Sequence, residues 1–163
     1  MKLDRKRRAA YARPMRDYSD VELQIGGVLD GEPNRIARLA TVACLLSEAF
    51  EDYYWTGFYM VDEDKPDELV VGPYQGTLGC LRIPFGRGVC GTAAAERKTQ
   101  IVADVHAFPG HIACDAATES EIVVPVFDGD RLIAVLDVDS TRKSSFDQHD
   151  AEALERIAAM IAA

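Results

Sequence analysis

The chain has 163 residues, of which 48% are hydrophobic and 28% charged, and it carries a net charge of −9. This length is enough for one substantial core, and no apolar run approaches the roughly 18 residues of a membrane span, which argues against disorder and membrane insertion. The first 20 residues hold seven Lys or Arg, so the remainder is near −13. Such an acidic body disfavours nucleic-acid binding and favours cationic or zwitterionic small ligands.

The ends of the chain and its thiols suggest one intracellular domain. The basic residues 1–20 favour a flexible extension over a nucleic-acid arm, and residues 21–163 are predicted to form a single domain. Four cysteines without a secretory signal are typical of intracellular thiols, whose bridges are usually catalytic or redox-sensing. We therefore expect a cytoplasmic protein.

Hydrophobic spacing first predicts a helix over residues 33–51, with Pro33 in its first turn. Cys44 lies within this pattern, where a small buried apolar residue is the favoured interpretation. Residues 54–62 and 68–72 are predicted to form a hairpin. The following elements are a short helix over 89–96, a strand over 99–105, a hairpin of 121–127 with 131–139, and an amphipathic helix over 147–163 with Asp147 as its N-cap. This order predicts an α+β domain around an antiparallel sheet.

The last predicted strand has carboxylates on a face that begins apolar. Alternation places Ile133 on the same face as Asp137 and Asp139, and Leu132 on the other. A three-residue turn would set Glu121 opposite Asp137 and gather three carboxylates, whereas a two-residue Asp-Gly turn would point Glu121 to the other face. Such clustered acids could bind the ammonium group of a ligand, or one of them could stay protonated and donate its proton. The alternative is that the acids simply face solvent at the end of the sheet.

Three cysteines lie in loops of glycines or small residues: Cys80, Cys90 and Cys114. Acids around Cys114 would raise the pKa of its thiol, although His111 or nearby backbone amides could offset them. A metal site formed by these cysteines with His106 and His111 is disfavoured, because no Cys-x2-Cys or His-x3-His spacing exists. No metal is therefore expected. The aromatic residues Trp55 and Tyr59 share a strand face, where they either wall a ligand pocket or belong to the core.

Several segments together resemble a known family in order and spacing. They are Trp55–Tyr59, Gly72–Gly76, Cys80–Pro84, Gly86–Thr92, Asp104–His106, Gly110–Ala116, Ser120–Val123 and Val135–Ser140. From about Tyr53 to Ala163 the chain resembles the free methionine-(R)-sulfoxide reductases, which are built on a GAF domain. The resemblance implies a GAF-like fold, with a six-stranded antiparallel sheet flanked by helices and a small pocket under the cysteine-bearing loops.

The resemblance also implies residue roles. Cys114 matches the attacking cysteine, Cys80 the resolving cysteine, and Cys90 a helper that can also pair with Cys114. Asp137 matches a ligand for the substrate ammonium, while Glu121 and Asp139 match groups that bind the substrate and polarise its sulfoxide oxygen. Trp55 and Tyr59 match the aromatic wall around the substrate methyl group.

The reaction implied is reduction of free methionine-R-sulfoxide through a Cys114 sulfenic acid, which Cys80 converts to a disulfide. Thioredoxin, itself reduced at the expense of NADPH, would recycle that disulfide, and no bound cofactor is expected. A homodimer would be in keeping with the family. The alternative function is a non-catalytic GAF module that binds a small ligand or senses redox state.

Overall fold

The computed structural model describes residues 15–162. Its strands are β1 (Trp55–Asp62), β2 (Lys65–Gln75), β3 (Arg82–Pro84), β4 (Gln100–Val102), β5 (Ser120–Asp128) and β6 (Arg131–Ser140). Its helices are α1 (Ser19–Leu29), α2 (Arg35–Ala49), α3 (Gly88–Glu96) and α4 (Gln148–Ala159), with a 3₁₀ turn at Val105–Ala107. The strands form one antiparallel sheet in the order β3-β2-β1-β6-β5-β4, which confirms the α+β architecture. Among residues 15–162, no helix is long and apolar enough to cross a bilayer.

Two apolar clusters lie on opposite faces of the sheet. On one face, α2 and α4 pack against the strands and α1 packs on α2, and Phe58, Ile122 and Leu136 lie in this cluster. On the other face, α3 and the long loops cover Val123 and Val135. Burial of these side chains is the main stabilising contribution to the fold. The second face carries the chemistry, because the cysteine-bearing loops lie over it.

The β5–β6 hairpin differs from both predicted registers. Asp128 pairs with Arg131 across a two-residue turn, and an irregularity beside Phe127 leaves Ile133 without a partner on β5. With the two-residue turn alone, Glu121 would point to the face opposite to that of Asp137 and Asp139. The extra residue at the bulge shifts the pairing by one, so Glu121 points to the carboxylate face and lies opposite Asp139 instead of Asp137. The predicted faces of the first two apolar residues were wrong for the same reason. Ile133 joins the helix-covered cluster, and Leu132 joins the loop-covered one.

Helix boundaries follow local capping. Helix α2 begins after Asn34, whose side chain accepts a hydrogen bond from the Ala37 N–H, so the predicted helix start at residue 33 was two residues early. The predicted N-cap Asp147 is confirmed as part of a capping box with Asp150. The predicted strand over 99–105 is shorter, because the Asp104 side chain accepts from the His106 N–H and starts the 3₁₀ turn.

The described end of the basic extension packs on the domain, while residues 1–14 lie outside the described residues. The Arg16 guanidinium donates to Asp150 Oδ1 at 2.8 Å and to Asp52. Tyr18 lies 2.7 Å from the same Asp150 oxygen and 2.5 Å from the Tyr53 hydroxyl. Buried charges require such partners, so this network fixes the start of α1 against α4.

A second buried arginine joins the helix ends. Arg38 on α2 donates hydrogen bonds of 2.5–2.7 Å to four backbone carbonyls, those of Leu29, Glu32, Met160 and Ile161. The carbonyls at a helix C-terminus have no partner within the helix. Arg38 satisfies carbonyls at the ends of both α1 and α4, which sets the three helices relative to one another.

Candidate active site

The predicted carboxylates and aromatic side chains meet on the loop-covered face of the sheet. Glu121 lies on β5, Asp137 and Asp139 on β6, and Trp55 and Tyr59 on β1. In the β1–β6 pairing Trp55 lies opposite Asp139, so the aromatic and acidic residues alternate onto one surface. A cavity of about 40 Å³ lies above them, and the three acids, both aromatic residues, Cys90 and Cys114 contribute to its walls. This volume is far below the roughly 300–1,000 Å³ of typical small-molecule pockets, so the disulfide-bonded form leaves no room for a ligand of nucleotide size.

The aromatic wall is built by stacking. The Trp55 ring lies parallel to Tyr59 at 5.5 Å and to Tyr74 at 5.0 Å between centroids. The indole N–H donates to the Thr77 carbonyl at 3.0 Å, which holds the ring against the cysteine-bearing loop. A Cβ on Gly79 would lie 2.9 Å from the Tyr59 hydroxyl oxygen, so only glycine lets the loop approach this closely. The sequence assigned Tyr74 no role, although it lies in the Gly72–Gly76 segment that resembles the family.

The loops that cover the cavity are joined by a disulfide. Cys80, between β2 and β3, is bonded to Cys114, in the loop before β5, with their Cα atoms 5.3 Å apart. This is the pair that the resemblance implies. Gly88, at φ +62°, packs against Ile112 of the second loop and donates its N–H to the Gly110 carbonyl at 3.2 Å. Backbone and side-chain contacts therefore hold the Cys114 loop over the pocket.

The other two cysteines are free thiols. Cys44 is half-buried on α2, within the predicted helix. Cys90 is buried on α3, and its thiol donates to Glu121 Oε1 at 3.8 Å. Cys90, Glu121 and Asp137 each place one ligand-type atom within 4.8 Å of the others. The Cys90 thiol therefore belongs to the same cluster as the two carboxyl groups. A thiol and carboxylates are also a set of donors that can bind zinc.

Burial keeps the acidic cluster largely protonated. Burial and the neighbouring acids raise the pKa of Glu121 well above its usual range, with only the Cys90 thiol opposing. The pKa of Asp139 is likewise raised well above its usual range by burial, Asp137 and Asp115. Burial raises the pKa of Asp137 to about 7, while hydrogen bonds with Glu121 and Cys90 lower it. The raised pKa values favour the neutral forms of Glu121 and Asp139, and a neutral carboxylic acid can donate a proton.

The cavity also contains unpaired polar atoms. Among residues 15–162, three buried side-chain oxygens have no hydrogen-bond partner: Thr56 Oγ1, Thr118 Oγ1 and Asp137 Oδ1. Thr118 and Asp137 both line the cavity, and Asp137 is only 5% exposed. An unpaired buried carboxylate oxygen is costly, so it marks a position where a ligand donor would be stabilised.

The polar residues next to Cys114 are held by the surrounding loops. Asp115 accepts hydrogen bonds from the Tyr54 hydroxyl at 3.0 Å, from the Thr77 hydroxyl at 2.5 Å and from the Ala117 N–H. These hydrogen bonds lower the pKa of Asp115. His111 lines the cavity, where burial and the nearby His106 lower its pKa and keep it neutral. Nothing in the sequence assigned Asp115 this anchoring position.

The exposed His106 lies 3.6 Å from a Glu119 oxygen, and its ring contacts that of His111. It forms an exposed group with Asp104 and Glu119, and Asp104 already pairs with the Lys143 amine at 2.8 Å. Within residues 15–162, the groups able to hold a metal place His106 with these two acids and not with Cys80 and Cys114, with which it was considered as a metal ligand.

Known proteins with similar sequences identify the family. The GAF domain profile matches residues 37–163. The chain is 50% identical over 140 residues to GAF domain-containing protein A of Dictyostelium discoideum, covering 86% of this chain and 87% of that protein. It is 44% identical over 144 residues to the free methionine-R-sulfoxide reductase of Escherichia coli K12, covering 88% and 86% of the two chains.

A solved structure is similar over nearly the whole chain. The free methionine-R-sulfoxide reductase of Neisseria meningitidis, determined in complex with its substrate, superposes with a TM-score of 0.85 at 49% identity, covering 89% of this chain and 86% of that one. The six-stranded sheet and the loop-covered pocket are those that the family resemblance implies, and the sequence and structural similarities point to the same family. The chain therefore belongs to the GAF-domain family of free methionine-R-sulfoxide reductases.

Proposed function

We propose that this protein reduces free L-methionine-R-sulfoxide to methionine with Cys114 as the nucleophile. The observation that carries the proposal is the juxtaposition of the Cys80–Cys114 disulfide with a cluster of three carboxyl groups. Glu121 and Asp137 are buried, and Asp137 has an unpaired oxygen. A free amino acid offers an ammonium to that oxygen, and the substrate methyl group fits the wall of Trp55 and Tyr59. The similarity to reductases named for this substrate supports the same choice.

The reaction follows from the protonation of the cluster. In the reduced protein, Cys114 sulfur attacks the sulfoxide sulfur while protonated Glu121 or Asp139 gives its proton to the oxygen. The oxygen then passes to the Cys114 sulfur as the substrate's sulfur–oxygen bond and the transient sulfur–sulfur bond break. Methionine leaves, Cys114 is a sulfenic acid, and the proton of its thiol restores the carboxylic acid. The Cys80 thiol then attacks the sulfenic sulfur, water leaves, and the disulfide forms. Two electrons pass from the two thiols to the substrate.

Selectivity for a free amino acid has a physical reason in this scheme. The unpaired oxygen of Asp137 would pair with the substrate ammonium, which a residue within a peptide lacks. The unpaired carboxylate would then remain buried without a partner, a cost of about 1–3 kcal/mol or more for a charged group. A polypeptide would also have to pass beneath the cysteine-bearing loops that cover the pocket.

Recycling requires an external dithiol, and we propose thioredoxin, reduced by NADPH through its reductase, with the cytoplasm as the compartment. Free thiols at Cys44 and Cys90 are in keeping with a reducing environment. A homodimer is the proposed assembly, as the family resemblance implies. Light scattering on the purified protein would measure its mass directly.

The test is NADPH consumption coupled to thioredoxin and thioredoxin reductase. The substrates are free methionine-R-sulfoxide, the S epimer and the N-acetylated R epimer, with the Cys114→Ser variant alongside. We expect turnover only with the free R epimer and none from the variant. No turnover by folded, fully reduced protein would contradict the proposal and favour the redox-sensing or ligand-binding alternative.

A further inference from the structure

The surface around the Cys80–Cys114 disulfide has the composition of a docking site. We define the disulfide rim as residues 77–81 and 111–117, the two loop segments that contain these cysteines. We propose that the disulfide rim docks a dithiol oxidoreductase through apolar contact. This inference rests on the proposed function, because only a catalytic disulfide has to be reduced in every cycle.

Exposed apolar side chains flank both cysteines. Leu78 and Leu81 are 77% and 70% exposed, on either side of Cys80. Three exposed alanines surround Cys114: Ala113, Ala116 and Ala117. Leucines that point this far into solvent contribute little to the core, and a contiguous exposed apolar patch marks an interaction site. The apolar residues thus surround the bond that the partner must reach.

The disulfide rim is also depleted of charge. The protein has a net charge of −9, yet the rim sequence contains one formally charged side chain, Asp115. The Asp115 carboxylate accepts hydrogen bonds from Tyr54 and Thr77 and from the Ala117 N–H, so it is bound to neighbouring loops. His111 is neutral because its pKa is lowered. Loss of charged residues distinguishes the centre of protein interfaces from the rest of a surface.

The partner's chemistry is set by the bond it must break. A thiolate of the partner attacks one sulfur of the Cys80–Cys114 bond, which releases the other cysteine as a thiol and forms a mixed disulfide. The partner's second thiol then attacks that mixed disulfide. The protein gains two electrons and two protons, and the partner leaves oxidised. A partner that approaches with an apolar surface around its own reactive cysteine matches the disulfide rim.

The experiment compares two reductants on the same variants. Turnover of free methionine-R-sulfoxide is measured with thioredoxin, its reductase and NADPH, and separately with dithiothreitol, which needs no docking surface. The variants are Leu81→Ser and Ala116→Glu in the disulfide rim. Leu23→Ser is the matched control, because Leu23 is equally exposed at 77% but lies on α1, behind the sheet.

We expect Leu81→Ser to raise the KM for thioredoxin about tenfold, the effect of losing about 1.4 kcal/mol of apolar burial. Ala116→Glu should act in the same direction. Dithiothreitol-supported turnover by Leu81→Ser should match wild type, and Leu23→Ser should leave both assays unchanged. A KM for thioredoxin within twofold of wild type in both rim variants, or an equal rise in Leu23→Ser, would overturn the docking surface. If the wild-type protein shows no turnover with dithiothreitol, the proposed function itself is refuted.

Discussion

Replacing Asp137 by asparagine is predicted to stabilise the protein while impairing its activity. Burial raises the pKa of Asp137 from 3.8 to about 7. A carboxyl group whose pKa is higher in the folded state contributes full stability only below about pH 4, and that contribution is lost as pH rises through about 7. The folded protein must then hold a buried carboxylate that the unfolded chain would leave in water.

The size of the effect follows from the difference in pKa. Each pKa unit corresponds to about 1.4 kcal/mol, so the raised pKa of Asp137 costs the folded state about 4 kcal/mol at pH 8 and about 2 kcal/mol at pH 5. The Asp137→Asn variant has no proton to lose and avoids this cost. We expect its gain in the free energy of unfolding to be about 2–3 kcal/mol larger at pH 8 than at pH 5.

Urea unfolding of the disulfide-bonded protein, without substrate, at pH 5 and pH 8 measures this gain. The control is Asp130→Asn at the exposed tip of the β5–β6 hairpin, which should change stability by less than about 0.5 kcal/mol. In the reductase assay, Asp137→Asn should lower kcat/KM at least tenfold, because it removes the charge that pairs with the substrate ammonium. A gain that is absent at pH 8, or equal at both pH values, would refute the reasoning.

Three further predictions concern packing, helix ends and the third cysteine. Gly79→Val should raise the KM for the sulfoxide in steady-state assays, because its side chain would displace the aromatic rings of the pocket wall. Arg38→Ala should reduce the free energy of unfolding in urea by about 3 kcal/mol through unpaired carbonyls, whereas the exposed Arg82→Ala should cost less than about 1 kcal/mol. Cys90→Ser should keep turnover within about twofold of wild type, because its hydroxyl still donates to Glu121, and Cys90→Ala should turn over more slowly. An equal loss of turnover in both variants would identify Cys90 as a resolving thiol.

Much of the fold followed from local patterns in the sequence. The alternation of β1 and the capping by Asp147 depend on neighbouring residues only, so sequence periodicity predicts them. Helix α1 was missed, although Val21, Ile25 and Leu29 are spaced four residues apart and all are buried. The two glycines between them lower the helix propensity, and packing against the domain overrides that preference.

The parts that could not be predicted depend on tertiary contacts. The bulge at Ile133 changes which residue faces Glu121, and a single inserted residue leaves no signal in an apolar strand. The position of Asp115 depends on Tyr54 and Thr77, which lie more than 35 residues away in sequence. The meeting of Cys80 and Cys114 was implied by the family resemblance, since spacing alone does not determine disulfide connectivity.

The central claim is that Cys114 and Cys80 together supply two electrons to a free amino acid. The most direct measurement is a single turnover, in which fully reduced protein is mixed with one equivalent of free methionine-R-sulfoxide and no reductant. Methionine is quantified, and peptide mass spectrometry locates the disulfide. We predict one methionine per protein and a peptide that links Cys80 to Cys114. Absence of methionine, or methionine formed while both cysteines remain thiols, would contradict this account.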